Sequence, residues 1–189
     1  MKIYGSYTSP FVRHCRIVLL QTKLECEFIE TNFAESAKLS PTKKVPMLID
    51  GDLTLTDSSS IISYLRQKAG GNFCKDIKDF DLFCCADTLL DASVNIFLLR
   101  ITDNIQVVDS KYLQRQSERV LSGLDALNKL ELSTELPLTD GLLRLACFLD
   151  WAVYRELIDI DKLTNLTKFL ALAKTDSDFV STAPPAPAL

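Results

Sequence analysis

The chain has 189 residues, of which 47% are hydrophobic and 24% are charged, which is ordinary for a soluble globular protein of one large or two small domains. Its formal net charge of −4 argues against a general nucleic-acid or anionic-membrane binder, because such proteins need clustered positive charge. We therefore expect neither nucleic acid nor a membrane among its partners.

The first residues, Met1 to Tyr4, do not form a charged leader followed by an apolar segment. No uninterrupted apolar run approaches the roughly 20 residues that span a membrane. The expected location is the cytoplasm.

The cysteine and histidine content indicates no metal site. The sequence contains six cysteines without a C-x-x-C pair or metal-ligand spacing, and its one histidine is His14. We interpret all six cysteines as reduced thiols, and none has a strong case as a nucleophile.

The first part of the chain alternates between short strand patterns and helix patterns. The sequence predicts strands at 2–4 and 26–30, a strand hairpin at 45–49 and 53–55, and helices beginning near 10, 33 and 58. The resulting order β-α-β-α-β-β-α is that of a thioredoxin-like layer, with a parallel strand pair first and a hairpin afterwards.

Ser9 stands at a strand-to-helix turn, directly before Pro10 at the first position of the helix. On sequence grounds alone, a plain N-cap serine is the more common outcome. The functional alternative is that its hydroxyl donates a hydrogen bond to a bound thiolate, which lowers the pKa of the thiol.

The stretch KKVPMLIDGDLTLTDSSSIISYL, residues 43–65, joins a proline-marked strand, a tight turn and a capped helix. Thr56 or Asp57 offers the N-cap oxygen, and the free N–H groups at that helix start attract carboxylates. Pro46 is ordinarily a trans, structural proline at a strand opening. A cis bond after Val45 is the alternative, and it would turn the backbone of Val45 toward a peptide-like ligand.

The clearest break in the sequence is Ala69-Gly70-Gly71-Asn72, because two glycines end the preceding helix. We place the domain boundary near residue 76 and predict an α/β domain at 1–76 and an all-helical bundle at 77–189. In this second part apolar residues recur at helical spacing to near the chain end.

Two motifs carry a resemblance to a known family. The run SPFVRHCRIVL and the order K-V-P-M-L-x-D-G-D-x-x-L-x-D-S-x-x-I-x-x-Y-L are similar to serine-type members of the glutathione S-transferase superfamily, including bacterial and tau-like members. The helix-start segment near Asp140 also resembles the family's, although Pro137 stands where the capping Ser or Thr is typical. The resemblance implies a thioredoxin-like domain followed by an all-helical domain.

The resemblance also implies roles for residues of the second motif. Val45, before a cis Pro46, would pair with the cysteinyl backbone of glutathione. Asp57 and Ser58 would hold the γ-glutamyl end, and Lys44 would meet the glycyl carboxylate. Glutathione is thereby the expected co-substrate.

By the same resemblance, Ser9 stands where the family's catalytic serine is found, and Phe11 would line the glutathione pocket. Tyr4 and Tyr7 are alternative hydroxyl donors, because tyrosine-type transferases exist. Position 9 is not cysteine, so the resemblance implies thiolate activation in preference to disulfide exchange.

The implied function is that of a glutathione transferase, a homodimer whose bound thiolate attacks a small hydrophobic electrophile. One alternative is a non-catalytic binding or regulatory protein that has kept the fold. Another is an isomerase, peroxidase or dehalogenase of the same fold, since no residue of the sequence separates these activities.

Overall fold

The computed structural model describes residues 1–132 and 135–185, and these divide into two compact units. The first unit comprises Met1–Phe73 together with the segment from Asp176 onward, and the second comprises Cys74–Thr175. Residues 133–134 and 186–189, which the sequence analysis assigns to the helical domain, lie outside the described residues.

The sheet of the first unit has four strands, β1 (Lys2–Gly5), β2 (Glu27–Glu30), β3 (Met47–Asp50) and β4 (Leu53–Leu55). Their order in the sheet is β2-β1-β3-β4. Strand β1 runs parallel to β2 and antiparallel to β3, and β3 and β4 form an antiparallel hairpin. This is the mixed sheet that the sequence predicts.

Three helices accompany the sheet, α1 (Pro10–Thr22), α2 (Phe33–Leu39) and α3 (Ser58–Lys68). Each follows an N-cap residue whose side chain accepts a hydrogen bond from a backbone N–H of the first turn, and these residues are Ser9, Asn32 and Asp57. Helices α1 and α3 pack on each other. The predicted element order and the thioredoxin-like class are confirmed.

The strand register brings three chain segments to one end of the sheet. Tyr4, near the end of β1, lies opposite Met47 at the start of β3, and Leu48 of β3 lies opposite Leu55 at the end of β4. The chain therefore leaves β1, enters β3 and leaves β4 at the same sheet end. We call this end, formed by residues 6–9, 44–46 and 56–58, the turn end.

The far end of α3 is held to the β3–β4 hairpin by one carboxylate. Asp50 accepts hydrogen bonds from the Tyr64 hydroxyl at 2.6 Å and from the Lys68 ammonium at 2.7 Å. The hydrogen bond from Lys68, followed by that from Tyr64, lowers the pKa of Asp50. These contacts fix the C-terminal half of α3, so that its first turn is directed to the turn end.

The second unit is helical, with α4 (Ile77–Thr102), α5 (Lys111–Leu127), α6 (Asp140–Tyr154), α7 (Thr164–Ala173) and a single 3-10 turn at Val107–Asp109. Most of α6 is buried, and it packs against α4 and α7. By length and composition alone α4 could cross a membrane. It packs against α5 and α6 within the second unit. The predicted helical region is confirmed.

The start of α6 is capped from another helix. The N-cap residue Thr139 makes no side-chain capping bond within α6. Its hydroxyl donates instead to Oδ1 of Asp79 on α4, and the same oxygen accepts the Gly141 N–H at 3.1 Å. Asp79 thus satisfies a backbone donor at this helix start, and the N-cap residue is Thr139, whereas Pro137 is expected at the capping position from the sequence.

The C-terminal helix α8 (Ser177–Ser181) lies on α1 in the first unit. Arg13 donates from Nη2 to the Phe179 carbonyl at 2.8 Å, and its guanidinium lies 3.8 Å from the centroid of the Phe179 ring. Arg16 donates from Nη1 to the Thr182 carbonyl at 3.2 Å. The contacts of α8 therefore group it with the first unit, whereas the sequence analysis assigns all of 77–189 to one helical domain. That domain division stays a prediction.

Gly141 permits the close approach of α6 to α4. A Cβ atom at this position would lie 2.5 Å from Oδ1 of Asp79 and closer still to its carbonyl oxygen. We expect Gly141→Ala to lower the free energy of unfolding by about 2 kcal/mol through overpacking, measured by urea denaturation. Gly71→Ala is the matched control, since its Cβ would meet nothing nearer than 3.6 Å. Equal unfolding midpoints for Gly141→Ala and the unsubstituted protein would contradict this account of the α4–α6 contact.

Candidate functional site

Ser9 lies at the turn end as the N-cap residue of α1. Its Oγ accepts a hydrogen bond from the Val12 N–H at 3.3 Å, and the residue is half-buried. A hydroxyl can accept one hydrogen bond and donate another at the same time. The structural role that the sequence favours for Ser9 therefore leaves its proton available to a ligand, and the two roles are compatible.

The segment before β3 lies beside it at the turn end. The Val45–Pro46 peptide bond is cis, as the family resemblance implies and in contrast to the ordinary trans geometry that the sequence alone favours. Pro46 is buried and Val45 is half-buried. Within the described residues, no hydrogen bond engages the backbone N–H or C=O of Val45.

The third segment is the start of α3. Oδ1 of Asp57 accepts hydrogen bonds from the backbone N–H groups of Ser59 at 2.8 Å and Ser60 at 3.4 Å. The side chain of Asp57 is otherwise exposed, whereas Ser58, the first helical residue, is only 4% exposed. The first turn of α3 therefore offers a carboxylate and a helix N-terminus side by side.

A thiol connects the two helices that bear these residues. Cys15 on α1 donates from Sγ to the Ser58 carbonyl at 3.9 Å, a long and weak hydrogen bond in a buried position. From the sequence, Cys15 is expected only to be a reduced thiol, and this contact is not predicted. Its helical spacing from Val12 and Val18, which are also fully buried, is the signal that places it toward the core.

Phe11 and Lys44 occupy the rim of the same region. Phe11 is half-buried in the first turn of α1, and Lys44 is exposed directly before Val45. The neighbouring Lys43 has a left-handed backbone with φ of +54°, and its N–H donates to the Ser40 carbonyl at 2.9 Å. Lys44 and two helix N-termini give the turn end groups that suit the anionic parts of a ligand, beside the Asp57 carboxylate.

The alternative hydroxyl donor Tyr7 is engaged in an aromatic stack. Its ring centroid lies 4.6 Å from that of Phe28 and 4.7 Å from the guanidinium carbon of Arg16. Burial lowers the pKa of Arg16, and Tyr7 opposes that shift. Tyr4 lies within β1, opposite Met47. The assignment of Ser9 over either tyrosine stays a prediction.

The cysteines take no part in the turn end beyond the Cys15 contact. All six are free thiols. Cys74, in the second unit, has its pKa raised to about 12 by burial and by the nearby Asp79 and Asp140 carboxylates. Among the residues that the structure describes, no group of His, Cys, Asp and Glu side chains could hold a metal ion.

Comparison with known proteins identifies relatives of both the first unit and the whole chain. Residues 3–73 match the family described as glutathione S-transferase, N-terminal domain. The chain is 33% identical over 75 residues to glutathione S-transferase Z1 of Arabidopsis thaliana, and that match spans 36% of this chain and 34% of the relative's length. It is 28% identical to the uncharacterized GST-like protein YibF of Escherichia coli (strain K12) over 98% of the chain and 99% of the relative.

The fold has solved counterparts. A glutathione S-transferase from Methylobacillus flagellatus KT, crystallised with glutathione bound, superposes with a TM-score of 0.84 at 24% identity and covers 97% of this chain and 99% of its own. That likeness shows the shared fold. Residues 3–73 of the sheet-bearing unit thus match the N-terminal domain of glutathione S-transferases, and the chain shares the fold of this solved structure.

Proposed function

We propose that the protein is a serine-type glutathione transferase, which binds glutathione at the turn end and holds its sulfur as a thiolate beside Ser9. The observation that carries the proposal is the hydrogen bonding of Ser9, whose Oγ accepts the Val12 N–H at 3.3 Å. Its proton remains free at the N-terminus of a helix, where negative charge is stabilised. The match of residues 3–73 to the glutathione S-transferase N-terminal domain supports glutathione as the ligand.

The proposed binding mode uses the three segments of the turn end. The unengaged N–H and C=O of Val45 pair with the cysteinyl backbone of glutathione, next to Pro46. The Asp57 carboxylate meets the ammonium of the γ-glutamyl end, and the start of α3 at Ser58 meets its α-carboxylate. Lys44 pairs with the glycyl carboxylate. Phe11 closes the pocket on the α1 side.

The proposed chemistry is activation of the thiol followed by nucleophilic attack. A hydrogen bond to a charged group contributes about 1.5 to 3 kcal/mol, which corresponds to a thiol pKa lowered by about one to two units. The thiol proton passes to solvent, the sulfur forms a bond to the electrophilic carbon, and the leaving group departs with its electron pair. Ser9 donates its hydrogen bond throughout and is not consumed.

The proposal also covers the electrophile, the oligomeric state and the cellular location. The electrophile is small and hydrophobic. We propose a homodimer in which exposed apolar residues of α4 are covered, since Ile77 is 76% exposed and Phe80 is 42% exposed. A cytoplasmic location accords with six free thiols, because a reducing compartment keeps cysteines in that state.

Replacing Ser9 separates activation from binding. We expect Ser9→Ala to lower kcat for conjugation of glutathione to an aryl halide by about 100-fold, because one hydrogen-bond donor to the reacting anion is lost. Affinity for glutathione, measured by calorimetry, should change by less than about threefold, since the binding contacts remain. Ser9→Thr keeps both the hydroxyl and the N-cap acceptor and should retain most of the activity.

Two outcomes would count against this proposal. Unchanged turnover in Ser9→Ala would remove Ser9 from the mechanism. Tight glutathione binding by the unsubstituted protein, without turnover of any electrophile in a broad panel, would indicate a binding protein with the transferase fold.

Asp57 has a structural and a proposed binding role, and the choice of substitution separates them. Asp57→Asn keeps an N-cap acceptor, so the free energy of unfolding should change by less than about 0.5 kcal/mol. The loss of charge should weaken glutathione binding about tenfold, which corresponds to about 1.4 kcal/mol. Asp57→Ala should weaken binding similarly and also lower stability by about 1 kcal/mol.

A matched control for Asp57 lies in the other unit. Asp76 caps α4 by accepting the N–H groups of Lys78 and Asp79, both at 2.9 Å. Asp76→Asn should leave the dissociation constant of glutathione unchanged. If Asp57→Asn and Asp76→Asn bind glutathione equally well, Asp57 does not contact the ligand.

A further inference from the structure

The second unit contains a cavity of about 280 Å³ that none of the turn-end residues lines. Its walls come from the last turns of α4, the 3-10 turn at Val107–Asp109, the middle of α5 and the chain after α6. All the residues assigned to glutathione lie in the first unit. The residues that line the cavity and the residues assigned to glutathione therefore do not overlap.

The walls of the cavity are aliphatic apart from one charge and a few neutral polar groups. Side chains such as Ile96, Val120 and Leu157 form most of the lining, and Arg100 is the single charged residue in it. The neutral polar residues are Ser93, Gln106 and Ser117, and the lining contains no carboxylate. A ligand that fits these walls is apolar along its length and negatively charged at one end.

Arg100 is held in place at the wall. Its Nη2 donates to the Arg155 carbonyl at 2.8 Å, and the residue is half-buried. A guanidinium has five N–H donors, so this one hydrogen bond leaves others for a carboxylate. Because the guanidinium is already oriented, a carboxylate would lose less affinity to side-chain ordering when it binds.

The mouth and the interior of the cavity both favour an apolar occupant. Val108 and Leu121, which line it, are 78% and 57% exposed and so leave aliphatic surface open to water. Inside, the Ser93 hydroxyl already donates to the Leu89 carbonyl at 2.8 Å. Ordered water needs two to four polar partners, so an alkyl chain would displace water that is poorly held.

The volume sets the size of the ligand. An engineered apolar cavity of about 150 Å³ accepts benzene, with its six carbons, so 280 Å³ corresponds by proportion to roughly eleven non-hydrogen atoms. We propose that this cavity is a binding site for an aliphatic monocarboxylate of about eight carbons, with its carboxylate on Arg100 and its chain among the aliphatic side chains. This site goes beyond the proposed transferase function and does not depend on it.

The test uses sodium octanoate as the probe, with binding to the full chain measured by calorimetry. We expect saturable binding of one octanoate per chain, in the presence and absence of saturating glutathione. Arg100→Gln should weaken it at least tenfold, Arg100→Lys should restore part of the affinity, and Arg115→Gln, an exposed α5 arginine outside the lining, should leave it unchanged. Octan-1-ol, which lacks the charge, should bind at least tenfold more weakly than octanoate.

A second variant keeps the test independent of Arg100's structural contact with Arg155. Ser117→Leu adds an apolar side chain from the half-buried α5 wall into the cavity, and should abolish octanoate binding without lowering the unfolding temperature. The proposal is overturned if octanoate does not bind saturably, if Ser117→Leu and Arg100→Gln both bind it normally, if octanol binds equally well, or if glutathione displaces it. None of these results bears on conjugation by Ser9, so the two proposals fail separately.

Discussion

The antiparallel pairing of β3 with β1 is the constraint on which the candidate site depends. It sets Met47 opposite Tyr4, and the β3–β4 hairpin sets Leu55 opposite Leu48. The chain therefore turns at Ser9, Val45 and Asp57 at one end of the sheet, although these residues are far apart in sequence. A register shift of one residue would reverse the faces of a strand and separate these turns.

Side-chain oxygens cap several helix starts in this structure. They differ in whether atoms remain available for a further hydrogen bond after capping. Asp76 and Asp79 are committed to backbone N–H groups within the helical unit, where they cap α4 and α6. Ser9 and Asp57, which belong to the turn end, use one lone pair or one oxygen to cap α1 and α3. In the proposed function, the capping hydrogen bonds hold Ser9 and Asp57 in position. The ligand then binds to the Ser9 hydroxyl proton and to the Asp57 carboxylate.

Local signals predict most of the first unit. Helix α2 begins at Phe33 and strand β4 spans Leu53–Leu55, as the sequence predicts. Contacts between distant residues were not predictable. Asp79 caps a helix start 62 residues later, and Arg13 holds a carbonyl 166 residues away, where no periodicity or turn signal connects the partners. The cis bond at Pro46 needed the family resemblance, since either isomer fits a strand opening.

The central claim is that Ser9 stabilises a thiolate, and the pKa of glutathione bound to the protein tests it most directly. Ultraviolet absorbance of the thiolate can be titrated against pH in the binary complex, for the unsubstituted protein and for Ser9→Ala. The account predicts that the bound thiol titrates about one to two pH units below a free thiol, and that most of this shift is lost in Ser9→Ala. A bound thiol with an ordinary pKa, or a lowered pKa that survives Ser9→Ala, would contradict it.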